Sequence, residues 1–141
     1  MDNLTKAQRK KNMARIRSTD TTPEMKLRSA LHKEGFRFRI HVASLPGKPD
    51  IVLPKYRLII FVNGCFWHQH PNCAKANIPK SNQDYWIEKL KKNVDRDKVS
   101  ISNLKSMGWE VKVIWECEVN KNIEEVVETI KKCVFRQAVI Q

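Results

Sequence analysis

Residues 61–75, FVNGCFWHQHPNCAK, gather two cysteines and two histidines from a chain that has four of each. Cys65, His70 and Cys73 stand in a C-x4-H-x2-C arrangement, and Cys117 follows the run WEVKVIW. If the two strand ends are neighbours, four nitrogen and sulfur ligands converge. Such a set suits zinc, which takes thiolate and imidazole tetrahedrally without redox chemistry, and a site fully ligated by protein is structural rather than catalytic. The competing reading makes Cys117 an ordinary buried thiol, since this spacing matches no standard finger. Cys133 lies between Ile130 and Val134 on an apolar helix face and reads as a small core residue.

The same stretch holds a residue suited to acid–base work. His68 lies between the ligand candidates without being needed to complete four positions, so it is free to act as general base on a water, with Asp97 or another acid orienting its ring. Asp50, in LPGKPDIVL, follows a Pro-Gly turn and starts an apolar run, where a carboxylate can be held rigidly to bind a hard cation. Magnesium takes one or two carboxylates, a backbone carbonyl and phosphate oxygens and keeps several waters. Read alone, Asp50 fits equally an aspartate that closes a turn through side-chain to backbone bonds. Phe66 and Trp67 read either as core or as a wedge between bases.

Charge narrows the partner. The 141 residues carry 27 Lys and Arg against 15 Asp and Glu, a formal net charge of +12 that favours a polyanion, with nucleic acid foremost. No apolar run of about 18 residues and no hydrophobic leader occur, so no membrane association is expected and the chain reads as soluble and cytoplasmic. In that reducing setting the four cysteines are expected as thiols rather than disulfides.

These residues must be positioned by a single domain, which at this length buries roughly 68 to 70% of its unfolded surface. Residues 1–18 form a basic segment, with Lys10, Lys11 and Arg15 among its cations and Met13 among its few apolar residues, suited to ordering on a phosphate backbone or to fraying in solvent. Residues 19–141 form the domain proper. Thr22-Pro23-Glu24 supplies a cap hydroxyl, a first-turn proline and an acid, which predicts a helix over about 23–34 ended by Gly35. FRFRIH alternates as a half-buried strand, and DIVL and RLIIFV read as a hairpin whose second strand is central. Tyr85, Trp86, Leu90, Val94, Ile101 and Leu104 recur at helical spacing, giving one long helix over 82–107 or two with a break near Ser100. WEVKVIW returns as a strand, and IEEVVETIKKCVF closes as a helix. The order predicts an α/β fold, a three-layer sandwich with a mixed central sheet.

LPGKPD, FVNGCFWH, H-x2-C, W-x-E-K-L-x-x-N-V-x-R-D and IWEC occur in that order, and with them the chain resembles the very-short-patch-repair mismatch endonucleases from about residue 8 to 118. The resemblance implies a restriction-endonuclease-like fold and a magnesium-dependent, strand-specific nickase in a prokaryotic cell, associated with the nucleoid. Its substrate would be double-stranded DNA carrying a T:G mismatch left by deamination of 5-methylcytosine, nicked on the 5′ side of the thymine by a monomer, with mismatch-repair proteins as further partners. Carried over by position, Asp50 would bind magnesium with the Val62 carbonyl, Glu24 would reach the metal shell through water, and His68 would be the catalytic histidine backed by Asp97. Cys65, His70, Cys73 and Cys117 would bind the structural zinc. Phe66 and Trp67 would enter the duplex from the major groove and Met13 from the minor groove.

The chain departs from the family at Val62-Asn63, where Thr-His is common, and His70-Pro71-Asn72-Cys73 is one residue longer than the usual ligand spacing. The Val62 carbonyl does not depend on side-chain identity. Asn63 donates hydrogen bonds but does not exchange a proton near neutral pH, which leaves His68 as the main base and implies retained, slower cleavage. Two rivals follow: a catalytically impaired mismatch-binding protein, and a zinc-stabilised DNA-binding module without chemistry.

Overall fold

The computed structural model describes residues 20–140. Helix α1 (Thr22–Lys33) is followed by strands β1 (Arg39–Ile40), β2 (Ile51–Leu53) and β3 (Leu58–Asn63), helix α2 (Gln83–Ser106), strand β4 (Glu110–Trp115), and helices α3 (Glu116–Lys121) and α4 (Ile123–Ile140). The four strands lie in the order β1-β2-β3-β4. The first three are antiparallel neighbours, while β4 returns parallel to β3 with Asn63 opposite Trp115. The sheet is therefore mixed, as the order of elements predicts.

The unbroken apolar run of β3 is explained by burial on both faces. On one face Ile51, Leu53, Leu58, Ile60 and Ile114 meet Leu27 and Leu31 of α1, Val119 of α3, and Val126, Val127, Ile130 and Cys133 of α4. On the other, Val52 and Ile59 meet Leu104 of α2, with Phe61, Trp109 and Val111 packed around them. Helices thus cover both sides in three layers, and Cys133 is a core residue, 5% exposed.

The element ends differ from the sequence reading in informative ways. The cap of α1 is Thr21 rather than Thr22, its hydroxyl accepting from the Glu24 N–H at 3.4 Å. Only Arg39 and Ile40 of FRFRIH form ladder pairs, although Phe36 and Phe38 still turn toward the core. No break interrupts α2 near Ser100. A Cβ built on Gly47, at φ +76°, would lie 2.8 Å from the Ser100 Cβ, so glycine and a small serine let the PGKP turn approach the middle of the helix. The chain also forms α3 directly after β4, where the Glu118 carboxylate accepts the Trp115 N–H at 3.1 Å, so Cys117 stands in a helical turn rather than at the end of the strand.

Candidate active site and metal centre

The ends of β2 and β3, the loop after β3 and the middle of α2 enclose a cleft of about 350 Å³ whose lining includes Asp50, Val62, Asn63, His68, Arg96 and Asp97. Five residues singled out from sequence are thus brought together. Asp50 enters on the turn that Gly47 holds against α2, and its Oδ2 accepts the Val62 N–H at 2.8 Å. The residue whose carbonyl is the expected second ligand is therefore in backbone contact with the carboxylate. Burial first, then the neighbouring Glu24 charge, push the Asp50 carboxyl up to about 7, against the pull of the Val62 N–H. Arg28 and His41 both contact Glu24, and the Asp50 carboxyl beside it still favours either a proton or a cation.

Glu24 comes from the first turn of α1 and is 1% exposed, beside Asp50 rather than on the cleft wall. His68 Nδ1 lies 2.5 Å from Asp97 Oδ2, leaving Nε2 without a protein partner among the described residues. The His68 loop is fixed at several points. The His68 N–H donates to Gly64 O at 3.2 Å, the Gln69 amide donates to the Phe66 and Ala76 carbonyls, and Asn93 of α2 donates to Trp67 O at 3.2 Å. Asn63, 7% exposed, ends β3 in the cleft.

Below this loop the ligand atoms of Cys65, His70, Cys73 and Cys117 all lie within 4.8 Å of one another. His70 Nδ1 stands 3.7 Å from Cys65 Sγ and 3.3 Å from Cys117 Sγ. A tetrahedral zinc with ordinary Zn–S and Zn–N bonds requires N···S edges of about 3.6 Å, so the donor set and its dimensions fit that ion. The ring of His70 stacks on Trp115 at 4.3 Å between centroids and 14° between planes, and the Cys65 N–H donates to the Glu116 carboxylate at 3.1 Å. Burial pushes the Cys65 thiol up to about 12, whereas backbone N–H groups, Lys75 foremost, pull the Cys73 thiol down. Between His70 and Cys73 the chain turns through Asn72 in a left-handed conformation, φ +58°.

Phe66 and Trp67 form a half-buried aromatic cluster with Trp86, centroids 5.1 to 5.9 Å apart. Trp86 and Tyr85 read from their spacing as part of the packed face of α2. The structure instead leaves Tyr85 56% exposed and puts Trp86 against the loop. Two bulky aromatics in a polar first helical turn were the available signal. Lys10, Lys11, Met13 and Arg15 lie outside the described residues. Among the described residues, no helix is long and apolar enough to cross a membrane.

Residues 1–75 match the family model described as DNA mismatch endonuclease Vsr. The chain is 47% identical over 112 residues to the DNA mismatch endonuclease Vsr of Escherichia coli K12, covering 79% of this chain and 71% of that protein. It is 46% identical over 119 residues to the type II nicking enzyme V.XorIIP of Xanthomonas oryzae pv. oryzae, covering 84% and 87%. Among solved structures, the catalytic domain of the homing endonuclease I-Bth0305I superposes with a TM-score of 0.58 at 24% identity, over 84% of this chain and 98% of that one, and shares the restriction-endonuclease-like fold. With more than half of its length inside the family model and a relative of this identity across most of both chains, the chain belongs to the DNA mismatch endonuclease Vsr family.

Proposed function

We propose that the protein is a magnesium-dependent, strand-specific DNA endonuclease that nicks on the 5′ side of the thymine of T:G mismatches, acting as a monomer in very-short-patch repair. The observation that carries this reading is the cleft itself: a half-buried Asp50 bonded to the Val62 backbone faces a His68–Asp97 pair, beside an aromatic cluster. Membership of the family and relatives named as nicking enzymes support the reaction class.

Asp50 and the Val62 carbonyl would hold the divalent cation, with Glu24 reaching its shell through water, and the cation would supply charge stabilisation for the attacking and leaving oxygens. His68 takes the proton of the attacking water at Nε2, since Nδ1 is committed to Asp97. Asp97 fixes the tautomer and steadies the ring as it becomes cationic. Water then displaces the 3′ oxygen in line, leaving a 5′-phosphate on the thymine side. Asn63 offers a hydrogen bond to the phosphate or the water without exchanging a proton.

Phe66, Trp67 and Trp86 would unstack the duplex at the mismatch, where unstacking costs less than at a matched pair. Residues 1–18, with Met13, Lys10, Lys11 and Arg15, would contact DNA from the minor-groove side. Structural zinc at Cys65, His70, Cys73 and Cys117 would pin the His68 loop to β4. A plasmid carrying one T:G mismatch tests the reading: a single nick with a 5′-phosphate beside the thymine is expected, and a matched plasmid stays closed. Tight binding without a nick would instead favour the impaired-binder reading, for which the buried Asn63 is the motivation.

A further inference from the structure

Around Glu24 stand three residues that have no role in the mechanism above, Asp20, Arg28 and His41, the last on the wall of the cleft. Arg28 of α1 is only 12% exposed, and its Nη2 reaches Asp20 Oδ1 at 2.5 Å, Glu24 Oε2, and His41 Nε2 at 3.0 Å. His41 Nε2 also lies 3.0 Å from Glu24 Oε2 and 3.2 Å from Asp20 Oδ1. The Asp20 N–H donates to the same Glu24 oxygen at 3.0 Å. One oxygen of a carboxylate that is 1% exposed is therefore held by three groups from three segments of chain.

His41 shows a second sign of selection for position. Its backbone is left-handed, φ +49°, a region that non-glycine residues enter at a cost. That conformation follows the end of β1, where the His41 N–H donates to the Asp50 carbonyl at 3.2 Å, and it sets the ring between Glu24 and the wall of the cleft. Among the described residues, Arg28 Nε and His41 Nδ1 are buried with no hydrogen-bond partner, an expense that plain stabilisation does not explain.

We infer that Arg28 and His41 are positioning residues that fix the Glu24 carboxylate by one oxygen, so that the other is presented toward Asp50 and the cation of the cleft. Glu24 has three rotatable bonds, and a carboxylate that must meet a small octahedral cation or its water needs its direction set beforehand. Asp20 anchors the far side of the guanidinium and keeps the clamp in register with the start of α1. The inference rests on the reading of Asp50 and Glu24 as the cation-holding pair.

The test compares wild type, Arg28→Met, Arg28→Lys and His41→Gln in three measurements: manganese binding to the DNA-free protein by calorimetry, the magnesium concentration for half-maximal nicking, and duplex affinity in EDTA. Arg28→Met is expected to weaken manganese binding about tenfold and to raise the magnesium requirement by a similar factor, with duplex affinity unchanged within about twofold. Arg28→Lys and His41→Gln should fall between it and wild type, and they carry the comparison if Arg28→Met does not fold. Wild-type manganese affinity and magnesium requirement in the variants would overturn the inference, as would a loss of duplex affinity in EDTA as large as the loss of manganese affinity. A wild-type protein that binds manganese but never nicks would instead overturn the proposed function, while the calorimetric comparison still decides the role of Arg28.

Discussion

His68 Nδ1 and Asp97 Oδ2 stand 2.5 Å apart, joining the loop after β3 to the middle of α2 across 29 residues of sequence. The contact leaves Nε2 as the imidazole nitrogen open to the cleft. Replacing His68 with Ala is expected to slow nicking by about 10²- to 10⁴-fold, the usual worth of a positioned base. Asp97→Asn should cost less, roughly tenfold or more, because the amide still orients the ring but does not stabilise its cation. Single-turnover rates at saturating DNA check both, and equal losses in duplex affinity would argue against a chemical role.

Asp50 links pH to stability with a definite sign. Its folded carboxyl titrates at about 7 against an ordinary value of 3.8, so between those values the folded chain holds a proton that the unfolded chain has lost. This contribution to stability is fully present below about pH 4 and disappears as pH rises through about 7. The metal-free Asp50→Asn variant should therefore be more stable than wild type above pH 7, by at most a few kcal/mol. Since a cation must displace the same proton, the magnesium requirement for nicking should rise as pH falls below about 7. Urea melts in EDTA across pH 4 to 9 and magnesium titrations at several pH values read the two effects.

The thiol and imidazole cluster predicts one tightly held zinc per chain. Because burial holds the Cys65 thiol up to about 12 in the metal-free protein, loading zinc must expel its proton, and affinity should climb with pH. Cys117→Ser should lower the melting temperature and release the metal, since it is the one ligand of the four that lies outside the loop, in the helical turn after β4. Metal analysis, with melting curves before and after chelation, settles this; unchanged melting on full removal of zinc would exclude a structural role.

Removing an aromatic from the loop should affect mismatch preference more than chemistry. Trp67→Ala and Trp86→Ala each break the three-ring cluster, and stacking contacts of this kind are worth about 1 to 3 kcal/mol. Affinity for a T:G duplex should fall about tenfold or more, with a smaller change on matched DNA.

Much of the frame was legible in the residues themselves. Thr22-Pro23-Glu24 announce a helix start, though one residue late for its cap, RLIIFV a central strand, and the spacing through Leu90 and Leu104 a helix, because each rests on local chemistry. The short helix α3 was not, since it depends on Glu118 reaching back to Trp115 at the point where a strand ends. The cluster of Arg28, Asp20 and His41 was equally hidden. Its members lie up to 21 residues apart and meet only because β1 ends beside α1, with the left-handed turn at His41 carrying no pattern in sequence. The contact of Trp86 with the loop was hidden for a related reason: helical spacing says which face a residue shares, and not what lies opposite it.

As proposed above, Asp50 would hold the cation that makes this cleft a nuclease. The most direct measurement is nicking of a labelled duplex with one T:G mismatch, in magnesium or in EDTA, by wild type and Asp50→Ala. A nick 5′ to the thymine is expected that requires magnesium and vanishes in the variant, while both proteins bind the duplex alike in EDTA. Nicking by Asp50→Ala at the wild-type rate, or by wild type in EDTA, would contradict it.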